Sequence, residues 1–168
     1  WAIRAKAAHT RADQSLFGIV QGGIHEQMRR ESALRTVDVG FDGYAIGGLS
    51  VGETRQEMIP ALAAAIEHLP KDQPRYLMGV GDPASIVESV ALGVDQFDCV
   101  LQTRIGRHGT ALTWGGKLHV KNAKFALDDA PLDSECACEV CSRHSRGYLR
   151  HLFQVNEPTA ARLLSLHN

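Results

Sequence analysis

Three of the chain's four cysteines lie within six residues, in the pattern Cys136-x-Cys138-x2-Cys141. A disulfide framework is not favoured, because the local number of thiols is odd. Cys138 and Cys141 have the spacing of a redox pair, but a third thiol beside them and the lack of a preceding strand argue against that chemistry. Three thiolates this close can bind one Zn²⁺, each at about 2.3 Å. The spacing therefore predicts a structural zinc site.

A closed tetrahedral zinc site needs a fourth ligand, and three histidines follow the cysteines. His144 is the nearest, whereas His151 and His167 lie farther along the chain. His167 would tie down the end of the sequence, and His144 could instead be a solvated residue at a helix start. Spacing alone does not choose between them. With four protein ligands the metal would have no open position for chemistry.

A second chemical feature is the segment "FDCVLQTRIGRHG" at residues 97–109. Asp98 lies in an apolar run that is typical of a strand, and an acid there requires a partner or a function. It could pair with Arg104 or Arg107, since buried acids are usually paired. It could instead stand at the end of a barrel strand and face a pocket as a nucleophile or base. Position alone leaves both interpretations open.

The region that follows is locally basic, although the formal net charge of the whole chain is −1. From Arg104 to Lys124 there are five Lys or Arg residues, two histidines and no acid. Net charge gives no sign of nucleic-acid binding, and charge alone favours a solvated basic face here.

Alternating elements must position these residues. Four short apolar runs without period-2 alternation indicate strands buried on both faces of a parallel sheet. Helical patterns separate them, with Asp82 as a plausible N-cap, Pro83 at the first helical position and Gly93 as a stop. The predicted strands are residues 16–21, 43–48, 75–80 and 96–101, and the predicted helices are residues 25–39, 53–69 and 82–93.

This β-α-β-α-β-α-β order predicts an α/β fold, either a doubly wound sheet or part of a (β/α)8 barrel. The glycine-containing segments "QGG", "GGL" and "GVG" each fall at the carboxyl end of a strand. Both architectures bind ligands at that edge, so the glycines favour a ligand-facing rim. After the fourth strand we predict a hairpin turning at Gly115-Gly116, then the cysteine cluster and two helical stretches.

The length of 168 residues and the 44% hydrophobic content fit a globular domain, and no apolar run reaches the roughly 18 residues of a membrane span. The chain opens on Trp1 inside a helical pattern. We therefore expect it to be a portion of a longer protein.

The ordered set "GIVQGG", "YAIGGLSVGE", "MGVG", "FDCVLQTRIGRHG", "CACEVC" and a terminal "HN" resembles the tRNA-guanine transglycosylases, also called queuine tRNA-ribosyltransferases. The resemblance covers nearly the whole chain, and Val51 matches the bacterial type. It implies the C-terminal half of such a protein. Residues 1–108 would supply the second half of a (β/α)8 TIM barrel, and residues 109–168 an appended zinc-binding subdomain with the hairpin, a Cys3His site and the last helices.

The resemblance also implies roles for individual residues. Asp98 matches the nucleophile that displaces guanine from the wobble position of the tRNA anticodon, so that a 7-deazaguanine such as preQ1 can enter during queuosine biosynthesis. Arg104 and Arg107 match residues that hold the anticodon loop. The residues that match the base-binding positions are Gln21, Gly48, Leu49, Met78 and Gly79, and those that match the Zn²⁺ ligands are Cys136, Cys138, Cys141 and His167.

Some expectations depend on what differs or is missing. The family usually has proline where this chain has Gln102, which affects the placement of Arg104. The family's other key acids lie in its N-terminal half, so we expect the 168 residues alone to be inactive. A noncatalytic transglycosylase-like subunit or tRNA-binding module is the alternative, and Asp98 favours the enzyme. The resemblance further implies a cytoplasmic homodimer with no membrane partner.

Overall fold

The computed structural model describes residues 1–168, which form two compact units, Trp1–Cys99 and Val100–Asn168. The helix at Leu101–Arg107 packs against the C-terminal helix and belongs to the second unit, whereas the sequence prediction assigns residues 1–108 to the barrel half.

The first unit is a parallel sheet with helices between its strands. Its elements are α1 (Ala2–Ala8), β1 (Phe17–Val20), α2 (Glu26–Val39), β2 (Gly43–Ile46), α3 (Arg55–Ile66), β3 (Arg75–Leu77), α4 (Pro83–Leu92) and β4 (Gln96–Phe97). The strands follow one another in the sheet in chain order, β1-β2-β3-β4. Phe17 of β1 pairs with Gly43 of β2, and Tyr76 of β3 pairs with Gln96 of β4. The predicted α/β fold with a parallel sheet is confirmed.

Local signals begin and end α4 as the sequence predicts. Asp82 caps α4 by accepting a hydrogen bond from the Ser85 N–H at 3.0 Å, and Pro83 is the first helical residue. Gly93 ends α4 in the left-handed region, at φ 104°. Between helices and sheet lies an apolar core, in which Tyr44, Ile46, Leu62 and Leu77 are almost completely buried.

The second unit is built on a two-stranded antiparallel hairpin and short helices. Its own core includes Ala111, Val120, Leu132, Leu149 and Leu164. The elements are α5 (Leu101–Arg107), β5 (Thr110–Thr113), β6 (Gly116–His119), a 3-10 helix (Ala123–Phe125), α6 (Glu139–Arg143), α7 (Arg146–Gln154) and α8 (Pro158–His167).

Two details differ from the sequence prediction. Thr113 pairs with Gly116, so the hairpin turns at Trp114-Gly115 rather than at Gly115-Gly116. The predicted fourth strand ends at Phe97 instead of residue 101, because the chain has already turned into α5, where the Arg104 N–H donates to the Val100 carbonyl at 2.8 Å.

The longest helix has 14 residues, and no helix combines the length and the apolar character that crossing a membrane requires.

Candidate functional site

Asp98 lies immediately after β4, at the carboxyl edge of the sheet, and its side chain is exposed. One carboxylate oxygen accepts two hydrogen bonds, from the Tyr76 hydroxyl at 2.6 Å and from the Gly79 N–H at 2.8 Å. Both donors stabilise the ionised form, the tyrosine more strongly, and they hold the pKa of Asp98 below its ordinary value. The partners of Asp98 in its own unit are thus neutral donors, and the carboxylate is ionised at neutral pH.

The hydrogen bond to Asp98 also keeps the Tyr76 hydroxyl a donor. The hydrogen bond to Asp98 raises the pKa of the Tyr76 hydroxyl above its ordinary value, and burial adds to the effect. The phenol therefore stays protonated. Because Tyr76 stands on β3 opposite Gln96, the register of the sheet places it beside the residue that follows β4.

The residues that we matched to base binding lie at the same edge. Gln21 follows β1, Gly48 and Leu49 follow β2, and Met78 and Gly79 follow β3. Since the three strands are adjacent and parallel, their carboxyl ends meet on one side of the sheet. The structure thereby brings all five predicted base-binding residues to the edge that carries Asp98.

Glycine is required at two of these positions. Gly48 and Gly79 have φ of 65° and 77°, in the left-handed region that side chains disfavour. A Cβ on Gly48 would also lie 2.5 Å from the Gln21 side-chain oxygen. The Gln21 side chain therefore packs against the Gly48 backbone. The segments that follow β1, β2 and β3 and carry these five residues are called the rim below.

A second carboxylate, which the sequence analysis missed, shapes the loop after this rim. Glu53 accepts hydrogen bonds from the N–H groups of Ser50 and Val51. Burial opposes its ionisation, but these backbone donors hold the pKa of Glu53 below its ordinary value. The Ser50 hydroxyl in turn donates to the Gly79 carbonyl at 3.0 Å. The sequence signal for Glu53 is an acid at the end of the glycine-containing segment "GGLSVGE" that follows β2.

The second unit brings three cysteines and one histidine together. Cys138 caps α6, Cys141 lies within α6, and His167 is the last residue of α8. His167 Nδ1 lies 4.0 Å from Cys136 Sγ, 3.4 Å from Cys138 Sγ and 3.3 Å from Cys141 Sγ. All four ligand atoms lie within 4.8 Å of one another. Tetrahedral bonds of about 2.0–2.3 Å to zinc place ligand atoms roughly 3.6 Å apart, so the set fits one ion.

The histidine is also oriented for this purpose. Its Nε2 lies 2.8 Å from the Leu112 carbonyl oxygen, which can only accept a hydrogen bond. Nε2 therefore carries the proton, and the Nδ1 lone pair points at the three sulfurs. His144, the nearest alternative in the sequence, stacks on Tyr148 with ring centroids 5.3 Å apart and is not part of the cluster.

Burial and hydrogen bonding shift the pKa values of Cys138 and Cys141 in opposite directions. Burial raises the pKa of Cys141 to about 12, and the neighbouring Cys138 adds to the shift. Burial also disfavours the Cys138 thiolate, but the Cys141 N–H and His167 outweigh it and lower the pKa of Cys138 to about 6. A Zn²⁺ ion bound between the sulfurs would favour the thiolate form that metal ligands require.

Arg104 and Arg107 lie in the last turn of α5, and both side chains are exposed without an acidic partner within 4 Å. Gln102, where proline is usual, is the second residue of this helix. A proline is tolerated in the first turn, because the N–H it lacks has no partner within the helix. The glutamine therefore leaves the helical path of Arg104 unchanged.

The whole chain is similar to one family of known proteins. The family model described as "Queuine tRNA-ribosyltransferase" matches residues 1–168. Two relatives are named queuine tRNA-ribosyltransferase, one from Caldanaerobacter subterraneus subsp. tengcongensis and one from Thermoanaerobacter pseudethanolicus. They share 56% and 55% identity with this chain over its full length, and the chain covers 45% of the length of each. That of Thiobacillus denitrificans is 52% identical, and the chain spans 46% of it. The chain thus spans about half the length of these relatives, and it belongs to the queuine tRNA-ribosyltransferase family.

Proposed function

We propose that the protein containing this chain exchanges guanine at the wobble position of a tRNA anticodon for a 7-deazaguanine such as preQ1. The observation that carries the proposal is the ionised Asp98 carboxylate, exposed at a sheet edge where backbone amide groups also converge. A noncatalytic transglycosylase-like subunit would have no need of an oriented carboxylate at this edge. The geometry therefore favours the enzyme.

The chain would provide the second half of a (β/α)8 barrel. Four parallel strands in chain order, each of the first three followed by a helix, support this proposal. Barrel enzymes place their active sites at the carboxyl ends of the strands, where Asp98 lies. The strands β1 and β4 are the edges of the sheet, and in a closed barrel each would pair with a strand from the N-terminal half.

In the proposed reaction, an Asp98 oxygen attacks C1′ of the ribose while the bond from C1′ to the guanine nitrogen breaks. Guanine leaves with the bond's electron pair and takes up a proton. The nitrogen of the incoming base then attacks C1′, loses its proton and displaces the carboxylate. Two displacements retain the configuration at C1′. A carboxylate suits both steps, since it is ionised at neutral pH and is a good leaving group.

The remaining residues would bind the two substrates. Amide groups of the glycine rim would read the edge of the flat base, and the partly exposed Met78 side chain would line the pocket. The Leu49 side chain packs in the apolar core, so Leu49 would contribute its backbone groups. Arg104 and Arg107 would contact the anticodon loop. A Zn²⁺ ion held by Cys136, Cys138, Cys141 and His167 would stabilise the fold of the second unit. Bacterial-type use of preQ1, a homodimer and a cytoplasmic location are implied by the family resemblance.

Isotope exchange with the full-length protein tests the proposal. Labelled guanine should enter a tRNA anticodon stem-loop in the presence of enzyme, and unlabelled preQ1 should displace it irreversibly. Absence of both reactions in a folded, zinc-loaded protein would rule out the enzyme and favour the noncatalytic alternative.

Replacing Tyr76 by phenylalanine should raise the pKa of Asp98, because the strongest donor to the ionised carboxylate is lost. A raised pKa means that Asp98 takes up its proton at a higher pH. The acid limb of the pH profile of kcat/KM should therefore move to higher pH, with little change near neutral pH. Tyr44→Phe is a matched control, since the Tyr44 hydroxyl contacts only the Phe41 N–H. An unchanged acid limb in Tyr76→Phe would contradict the assigned role.

Replacing Arg107 by glutamine should weaken tRNA binding through the loss of one phosphate contact. We expect the KM for tRNA to rise roughly 3- to 10-fold and the slope of log affinity against log salt to fall by about 1, with the KM for the base unchanged. Arg143→Gln provides the control, because Arg143 is already paired with Glu139 at 2.9 Å. Equal salt slopes for wild type and Arg107→Gln would show that Arg107 makes no phosphate contact.

A further inference from the structure

The largest fully buried side chain is an arginine that no substrate-binding motif includes. Arg29, on α2, has no exposed surface. Its guanidinium donates to four carbonyl oxygens: Val20 at 3.3 Å, Gly23 at 2.7 Å, Gly47 at 2.7 Å and Gly48 at 3.0 Å. Val20 is the last residue of β1, Gly23 follows β1, and Gly47 and Gly48 follow β2. One side chain therefore ties together the two strand ends that form the base-binding rim.

Burying the guanidinium charge of Arg29 costs desolvation free energy, and no ion pair offsets that cost. No carboxylate forms an ion pair with Arg29. Burial lowers the pKa of its guanidinium, and only the more distant charge of Glu53 opposes this. Because carbonyls alone solvate the Arg29 guanidinium, moving any of them would leave part of the buried charge without a hydrogen bond. The guanidinium therefore restricts the positions of these carbonyls.

The planarity of the peptide group determines where the N–H groups of peptides 47–48 and 48–49 point. In a trans peptide the N–H points opposite to the C=O of the same unit. Since the Gly47 and Gly48 carbonyls point at Arg29, the N–H groups of Gly48 and Leu49 point away from it. Neither N–H is used in the hydrogen bonds of the sheet. A guanidinium on the carbonyl also polarises the peptide and makes its N–H a stronger donor.

We propose that Arg29 is a positioning residue for base recognition: its guanidinium holds the peptides 47–48 and 48–49 so that the Gly48 and Leu49 N–H groups face the bound base. The inference rests on the proposed function, because it assigns those amides to the heterocyclic substrate. Lysine cannot replace arginine in this role. One ammonium group is a compact point donor and does not span four carbonyls.

A second buried arginine supplies a matched control. Arg75 is 6% exposed and also donates to carbonyls, those of Leu69, Pro70 and Gly93. It lies at the start of β3, at the opposite end of the sheet from the rim. Arg29→Lys and Arg75→Lys therefore each remove a buried guanidinium that donates to backbone carbonyls. Only Arg29→Lys does so beside the proposed base-binding rim.

The experiment measures both variants in the full-length protein, with preQ1 as the base. Both should lose thermal stability, but only Arg29→Lys should raise the KM for preQ1, by about tenfold or more, with the KM for tRNA within about twofold of wild type. Arg29→Gln, which keeps two N–H donors without the charge, replaces the lysine variant if that does not fold. An unchanged KM for preQ1, or an equal rise in Arg75→Lys, overturns the proposal.

Wild-type protein provides a measurement that needs no variant. Saturating preQ1 should slow deuterium uptake at the Gly48 and Leu49 amides, and unchanged uptake there overturns the proposal. An inactive wild type would instead count against base exchange itself. The two failures are thus distinguished, because the inference is judged in a protein whose exchange activity has been established.

Discussion

Replacing Asp98 by asparagine in the full-length protein is expected to lower kcat by roughly 10⁴-fold or more and to abolish the covalent adduct with an anticodon stem-loop. The amide is similar in size to the carboxylate and can still accept hydrogen bonds from Tyr76 and Gly79. It is a very poor nucleophile, however, so the first displacement loses its attacking atom. The KM for tRNA should stay within about twofold of wild type, because substrate contacts are retained. Denaturing electrophoresis with labelled RNA detects the adduct directly.

Asp95→Asn is the control for this experiment. Asp95 lies just before β4, and its carboxylate accepts a hydrogen bond from the Arg75 N–H at 2.9 Å. The same change at the other end of the strand should leave adduct formation intact. If Asp98→Asn still forms the adduct, another residue is the nucleophile and the proposed mechanism is wrong.

The fold could be predicted from the sequence where local and global signals agree. The helix starting at Pro83 has a capping aspartate, a proline and a stopping glycine, and it forms where these signals place it. Of the parallel strands, β2 is buried on both faces as expected. Ile19 of β1 and Gln96 of β4 are exposed instead, because these two strands are the edges of the sheet. The helix Leu101–Arg107 was missed, because "LQTRIGR" has no cap residue. It is stabilised by packing against α8, with Gly106 as the close contact to Ser165.

The site was only partly accessible from the sequence. Strand order places Gln21, Gly48 and Asp98 on one edge, so their proximity follows from topology. The roles of Tyr76 and Arg29 do not, because each depends on contacts between separate elements. Arg29 lies among charged residues on α2 and has the sequence environment of an exposed side chain. Only the packing of α2 against the strand ends shows that it is buried.

Removing the His167 side chain should weaken zinc binding and destabilise the second unit. In His167→Ala the zinc content of the full-length protein should fall from one ion per chain toward zero under mild chelation. The affinity should drop by more than about a hundredfold, since even the loss of an outer partner of a metal ligand costs 10–100-fold. Metal analysis after dialysis measures the content. His144→Ala, which changes a histidine outside the cluster, should keep the ion. Retention of zinc by His167→Ala would exclude the proposed ligand set.

The loss of zinc should also weaken tRNA binding, because the proposed ligand His167 is the last residue of α8. Asn168, the next residue, accepts a hydrogen bond from the Leu112 N–H at 2.8 Å and donates to the Gln102 carbonyl at 3.0 Å. A bound Zn²⁺ and Asn168 would thus fix the same end of α8, which packs against α5 and its exposed arginines. When His167 no longer binds the ion, α5 loses support on that side. The KM for tRNA should then rise while the KM for the base does not, since the base-binding rim belongs to the other unit.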